Sequence, residues 1–333
     1  MKLICAPMAT LSHPASRILI EKFGGCDEYF NEMINAPSLL HGGMFEKYYI
    51  NPAPCPQKVV WQLTSKNAES CIEAAEKLCS LGGIGIDLNM GCCAPDIVRS
   101  GAGISWMLKP LEETEKLVSG VKSVLQEYEK NFLEHRRLSV KCRLGDADFT
   151  DESFFSFTDM LVSNGVGLIS LHPRTKKENY RDKPRWEYAQ KLYERYHGKV
   201  EVYVNGDVFD IQSFKKVREA CPDCSGVMIA RAIVQKPWLF KQLDNFQKEK
   251  SEPFTVDLLS LALDFIDDVV KYQPPEFYKT RLQRFFTYFC MNFSFSHYAQ
   301  TQMINAKDVE DSKNRIRSYF EKVPQDRYKN VDD

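Results

Sequence analysis

The stretch AESCIEAAEKLCSLGGIGIDLNMGC, residues 68–92, holds one full helix-to-strand unit and decides the fold. Ala68–Leu81 has the apolar spacing of an amphipathic helix. It stops at Leu81-Gly82-Gly83, where glycine makes a left-handed cap cheap. Ile84–Asn89 is then a β-rich run, and Met90-Gly91-Cys92 leads away from its carboxyl end. The alternation recurs through the first 230 residues. Further β-rich runs are Lys2–Met8, Asp27–Asn31, Lys58–Leu63, Leu138–Arg143, Leu168–His172, Val200–Asn205 and Gly226–Ile229; further helical patterns are Leu111–Glu129, Asp151–Asn164 and Ile211–Ala220. Eight strands separated by helices predict an α/β chain built as a (β/α)8 TIM barrel, whose usual size is about 250 residues. A doubly wound sheet has fewer strands and often a Gly-rich first turn, which Cys5-Ala6-Pro7-Met8 does not supply.

After Leu243 the texture changes. Lys248–Pro253 (KEKSEP) reads as a linker, and no strand pattern follows. Leu258–Tyr272, Glu276–Phe293 and Val309–Lys322 read as helices, so the expected organisation is a barrel over 1–243 and a small all-α unit over 244–333, with Asp326–Asp333 expected to fray. The 333 residues carry 44 Lys+Arg against 45 Asp+Glu, a formal charge of −1, which excludes indiscriminate binding to nucleic acid and leaves room for a local basic patch. No apolar run is long enough to span a membrane, and the N-terminus lacks a secretory core, so a cytoplasmic monomer is expected. The 11 cysteines are an odd number in a reducing compartment, so free thiols are expected. Cys221-Pro222-Asp223-Cys224 has CxxC spacing but no second pair, and no metal site is expected.

Barrel chemistry gathers at the carboxyl ends of the strands. Here those ends read Pro7-Met8, Asn31-Glu32, Gln62, Asn89-Met90-Gly91-Cys92, Lys141-Cys142-Arg143, His172-Pro173-Arg174, Asn205-Gly206-Asp207 and Met228-Ile229-Ala230-Arg231. Nearly every one is polar or special where a purely structural strand would continue apolar, and a ring of such ends marks a site. Lys141 is either a Schiff-base nucleophile or a cation facing an electron-rich ring. Gln62 and Asn205 suit the amide and carbonyl edges of a heterocycle, and His172 suits a phosphate or a carbonyl oxygen. The segments around Asn205-Gly206-Asp207 and Ala230-Arg231 flank strands seven and eight, the usual phosphate site of such barrels. Cys92, on a glycine-bearing loop ahead of Gly101-Ala102-Gly103, can give or take a proton.

In order, these motifs resemble those of the tRNA-dihydrouridine synthases: Ala6-Pro7-Met8 with Arg17, Glu32-Met33-Ile34-Asn35-Ala36, Gln62-Leu63, Asp87-Leu88-Asn89-Met90-Gly91-Cys92, Lys141-Cys142-Arg143-Leu144-Gly145, His172-Pro173-Arg174-Thr175, Val204-Asn205-Gly206-Asp207 and Gly226-Val227-Met228-Ile229-Ala230-Arg231. The resemblance implies an FMN-binding barrel followed by a helical tRNA-binding domain. It implies reduction of the carbon 5–carbon 6 double bond of a tRNA uridine, with NADPH or NADH reducing FMN and the flavin delivering hydride to carbon 6. Cys92 matches the acid that protonates carbon 5, Asn89 a residue that holds the uracil, and Cys93 stands where the family usually has proline. Pro7, Met8, Gln62, Lys141, His172, Asn205, Gly206, Asp207, Ala230 and Arg231 are the implied FMN contacts.

A uridine inside folded tRNA must be extruded to reach such a pocket. Residues 174–185 hold six cations against two acids, a basic lip after strand six. Arg174, Lys176 and Arg181 there, with Arg143, are the expected substrate contacts. Residues 245–333 carry 13 Lys+Arg and 14 Asp+Glu, so the tRNA binding that the resemblance implies is expected to depend on that lip. Two alternatives remain open: an FMN barrel acting on a free pyrimidine, as dihydroorotate dehydrogenases do, and a catalytically weak RNA-binding barrel.

Overall fold

A computed structural model describes residues 1–331. Eight strands pair in parallel and close on themselves: β1 (Lys2–Cys5), β2 (Glu28–Phe30), β3 (Val59–Thr64), β4 (Gly85–Met90), β5 (Arg137–Cys142), β6 (Leu168–Leu171), β7 (Glu201–Asn205) and β8 (Gly226–Ile229). Alternation along each strand sorts side chains to two faces. Ile4, Phe30, Val60, Leu168, Tyr203 and Met228 form an apolar cluster inside the barrel. Their neighbours Val59, Trp61, Ile86, Leu88, Leu138, Val140, Val202 and Val204 join the larger core between strands and outer helices. By the same parity Gln62, Asp87, Asn89, Ser139, Lys141 and Asn205 point inward, and the register sets Gln62 beside Asp87, Asp87 beside Ser139, and Asn89 beside Lys141.

The lower end of the barrel is closed by charge. Glu28 is buried and accepts from Tyr203 Oη at 2.7 Å and from both terminal nitrogens of Arg137, at 2.9 and 2.5 Å. Arg137 also reaches Glu201 at 3.2 Å. The upper, carboxyl-terminal end stays open.

The expected strands and barrel helices form, with ends shifted by a few residues; β1, for example, stops at Cys5 and leaves Pro7-Met8 in a loop. The extension differs more. Helix Leu239–Gln247 runs through residue 243, so the chain leaves regular structure only at Lys248–Pro253. The expected helix Glu276–Phe293 is Pro275–Phe289 followed by a 3-10 turn, and Ser296–Ile304 is an additional helix that buries only Ala299 and Met303. Within the tail, Tyr328–Val331 pairs antiparallel with Phe254–Asp257, a two-stranded ribbon where no strand was expected. The Asp326 carboxylate accepts from Ser294 and Tyr319, and Arg327 pairs with Asp257 at 2.9 Å, which pins the segment. Residues 332 and 333 of the expected tail lie outside the described residues.

Helix α1 (Pro14–Glu21) follows β1 and packs against helix α2 (Leu258–Tyr272) of the extension. Phe265 of α2 stacks on Phe285 of helix α3 (Pro275–Phe289) at 3.7 Å between ring centroids. From α3, Arg281 reaches back to Glu32 beyond β2, 2.7 Å away, with both side chains almost wholly buried. Replacing Arg281 by Ala strands the Glu32 carboxylate in that interior, and such losses run to about 3–5 kcal/mol. Urea unfolding should show a fall of this order, largely restored in an Arg281→Met, Glu32→Met double variant; a loss under about 1 kcal/mol would deny the pair its anchoring role.

Candidate active site

The strand ends converge on a cavity of about 430 Å³, within the range of small-molecule sites. Pro7, Met8, Gln62, Asn89, Cys92, Lys141, Arg143, His172, Arg174, Asn205, Gly206, Asp207, Ala230 and Arg231 all line it. Lys176 and Arg181 do not; they lie on the loop beside it.

A chain of hydrogen bonds organises the floor. Asp87 is fully buried and accepts from Ser139 Oγ and from Gln62 Nε2, both at 2.7 Å. Burial pushes its carboxyl up to about 6, against the pull of those two donors. With Nε2 committed to Asp87, Gln62 Oε1 accepts from Asn89 Nδ2 at 2.9 Å. Asn89 Oδ1 in turn accepts from the backbone N–H of Cys92 at 3.0 Å and of Gly91 at 3.3 Å. The Asn89 side chain therefore folds the loop that carries Cys92. Gly103 completes the loop: its φ is +60°, and a Cβ there would lie 2.4 Å from the Cys92 carbonyl oxygen, which accepts from Ile104 N–H. Burial raises the Cys92 thiol above its ordinary range, opposed by a hydrogen bond from Ala94 and by the charges of Lys141 and Arg143. Near neutral pH Cys92 is a thiol rather than a thiolate, the form a proton donor needs.

The remaining wall is cationic. Lys141 is pushed down to about 8 by burial and then by Arg143, with Asp87 pulling the other way. Arg143 gives one terminal nitrogen to the Thr175 carbonyl at 2.9 Å. His172 is driven down to about 2, first by burial and then by Lys141, Arg143, Arg174 and Arg231, so it is neutral. Its Nε2 lies 3.0 Å from an Arg174 nitrogen. Since a guanidinium only donates, Nε2 accepts and the proton sits on Nδ1. Gly206 follows Asn205 at φ +133°, a backbone state open to glycine, against His172 and Pro184. Arg231 lies 3.8 Å from the centre of the Tyr180 ring.

The basic lip is weaker than its composition. Arg174 is wholly buried and commits its guanidinium to Asp207 at 2.5 Å, to the Asp182 carbonyl and to His172. It braces the site and does not present a free charge to a substrate. Lys176 pairs with Asp146 at 3.1 Å and Arg185 with Glu178 at 2.5 Å. Lys177, Arg181 and Lys183 stay exposed and make no ion pair among the described residues.

Two lining residues, Arg284 and Tyr288, come from α3 of the extension. They were not expected in the site: the run FYKTRLQRFFTYF reads as bundle core, and a local pattern does not show which helix face meets the barrel. Phe209, 44% exposed at the rim, and Cys93 beside Cys92 were also outside the expected set. All 11 cysteines are free, and among the described residues no cluster of three or more His, Cys, Asp or Glu could hold a metal ion. No described helix is long and apolar enough to cross a membrane.

The family model for dihydrouridine synthase matches residues 4–279. The chain belongs to the dihydrouridine synthase family. Among relatives in that family, a probable tRNA-dihydrouridine synthase 2 of Bacillus subtilis is 26% identical over 92% of this chain and 90% of its own length. A tRNA-dihydrouridine(16) synthase of Pseudomonas syringae pv. tomato is 30% identical over 77% of this chain and 78% of its own. Among solved structures, morphinone reductase superposes with a TM-score of 0.50 at 9% identity, covering 75% of this chain and 86% of that one, a likeness of fold.

The raised Cys92 thiol has a direct consequence for reactivity, because alkylation needs the thiolate. Peptide mapping after iodoacetamide treatment should find Cys92 slower than a free thiol at pH 8, gaining about tenfold per pH unit toward pH 9. A Cys92 that outpaces a free thiol would show a stabilised thiolate instead.

Proposed function

We propose that the protein reduces the carbon 5–carbon 6 bond of a uridine in tRNA, with FMN seated in the barrel-mouth cavity and NADPH or NADH as reductant. The observation that carries this reading is geometric: Cys92, its backbone N–H held by Asn89 Oδ1, lines a cation-rich cavity at the strand ends. The names of the relatives point to tRNA rather than to a free pyrimidine.

The donor set fits FMN. Gln62 and Lys141 offer polar contacts to a flat heterocycle deep in the barrel, and His172 Nδ1–H is one further donor. Asn205, Gly206 and Arg231 gather at the ends of β7 and β8, where phosphates bind in such barrels. Asp207 serves that end indirectly, by holding Arg174. When bound, FMN supplies the hydride that enters at carbon 6 of the uracil.

The protein supplies the proton and the field. Asn89 orients the uracil, and Cys92 Sγ–H gives its proton to carbon 5, so the carbon–carbon double bond becomes single as both carbons gain hydrogen. The thiolate left on Cys92 is stabilised by Lys141 and Arg143, both of which pull its pKa down. A proton from solvent then restores the thiol. Lys141 also places positive charge against the electron-rich ring system.

Nucleoside mass spectrometry of unmodified tRNA incubated with enzyme and NADPH should show Cys92→Ala slowing dihydrouridine formation by about a hundredfold or more while FMN stays bound. Cys93→Ala should stay near wild type, and the reverse order would assign the acid to Cys93. Because the Lys141 cation is lost as pH rises through about 8, FMN affinity should weaken above that pH. Lys141→Arg should remove this alkaline limb, since arginine stays charged. Titrations by flavin fluorescence that are flat in wild type to pH 9.5, or equally sloped in Lys141→Arg, would contradict the role given to Lys141.

A further inference from the structure

The cavity is not purely a barrel product. Its wall is completed by Arg284 and Tyr288 of α3, three and seven residues beyond Arg281. That spacing puts all three on one face of the helix. The buried Arg281–Glu32 pair sets the rotation of α3, so Arg284 and Tyr288 are held against the barrel mouth rather than arriving there by chance.

Their chemistry differs from that of the barrel cations. Arg174 is spent on Asp207, Arg143 donates to the Thr175 carbonyl, and Arg231 lies over Tyr180 at the phosphate end of the strands. Arg284 is exposed, makes no ion pair among the described residues, and has the Tyr288 ring 5.9 Å from its guanidinium. The cavity thus holds two Arg–Tyr pairs. One, Arg231–Tyr180, belongs to the barrel and the cofactor's phosphate end. The other, Arg284–Tyr288, belongs to the extension and faces the same space with its charge uncommitted. An aromatic ring beside a free guanidinium is the pairing that holds an unstacked nucleotide, ring against base and cation against phosphate.

We propose that Arg284 and Tyr288 are the positioning residues for the extruded nucleotide: Arg284 takes a phosphate flanking it, and Tyr288 packs its ring against the flipped nucleoside. This rests on the tRNA reading above and specifies which side of the cavity the substrate occupies.

The test uses the FMN-loaded protein with an unmodified tRNA transcript. Arg284→Ala should raise KM for tRNA about tenfold with a much smaller change in kcat, as expected for the loss of one charged contact. It should also make the slope of log affinity against log salt shallower by about one, which a merely structural change would not do. Arg284→Lys should recover the salt slope. Tyr288→Leu should raise KM with the slope unchanged, because stacking releases no counterions. FMN should remain bound in all three. Wild-type KM and slope in Arg284→Ala would overturn the assignment, as would loss of FMN from that variant, which would move the arginine to the cofactor side. The wild-type control separates the two levels. No dihydrouridine from wild type with FMN and NADPH sinks the proposed reaction, whereas wild-type turnover with an unaffected Arg284→Ala sinks this assignment alone.

Discussion

The contact between Arg281 and Glu32 joins the barrel to the helical extension that completes the wall of the barrel-mouth cavity. Both groups are withdrawn from water, which costs several kcal/mol per ion before their attraction is counted, so the pair adds position more than net stability. The same Glu32 carboxylate accepts from Thr10 N–H at 2.8 Å, holding the turn after β1 in which Thr10 adopts φ +66°. One carboxylate therefore fixes the loop bearing Pro7 and Met8 and also the helix bearing Arg284 and Tyr288. Sliding the extension along the barrel would strand a buried charge, and this is why the cavity wall can be shared between separate parts of the chain.

Inside that wall the electrostatics are lopsided. Five cations line the cavity, Lys141, Arg143, Arg174, Arg231 and Arg284, against the single carboxylate of Asp207. A whole-chain charge of −1 conceals this, because compensating acids sit elsewhere on the surface. Burial first, and then this excess, keep His172 neutral, so it acts as a hydrogen-bond partner rather than a further cation. On the proposed reading the excess also suits the phosphates and the transient Cys92 thiolate that the reaction would bring to this cavity. The lip outside the cavity is more modest: half of its six cations are neutralised by Asp207, Asp146 and Glu178.

The barrel and the inward placing of Gln62 and Asn89 were legible because both follow local periodicity, whereas the hydrogen bonds that join them through Asp87 were not. Alternation in VVWQLT and GIDLNM puts Gln62, Asp87 and Asn89 on the face opposite Trp61, Ile86 and Leu88, and this parity survives an error of a residue at the strand ends. The lip was misjudged because counting charges does not show pairing: Asp207 and Asp146, which neutralise Arg174 and Lys176, come from other loops. The ribbon was invisible for a similar reason, since Phe254–Asp257 is four residues long and its partner lies over 70 residues away. Arg284 and Tyr288 were visible as residues but not as lining, because their orientation is set by Arg281 meeting Glu32 across 249 positions of sequence.

Asp87 carries the dependence one step deeper. It does not line the cavity, yet Gln62 can offer Oε1 to Asn89 only because its Nε2 is spent on Asp87. If Asp87 lost its acceptor, the Gln62 amide would be free to turn and present Nε2 to Asn89, which also donates from Nδ2, and the two donors would oppose each other. Asn89 would then have to rotate, withdrawing Oδ1 from the Cys92 and Gly91 N–H groups that shape the loop. The backbone that carries the thiol is thus held by a carboxylate three hydrogen bonds away, which is a physical reason for a costly acid in the middle of a parallel barrel. It also places the control of Cys92 on the rigid strands β3 and β4, so that the loop, though half-exposed, inherits the precision of the barrel beneath it.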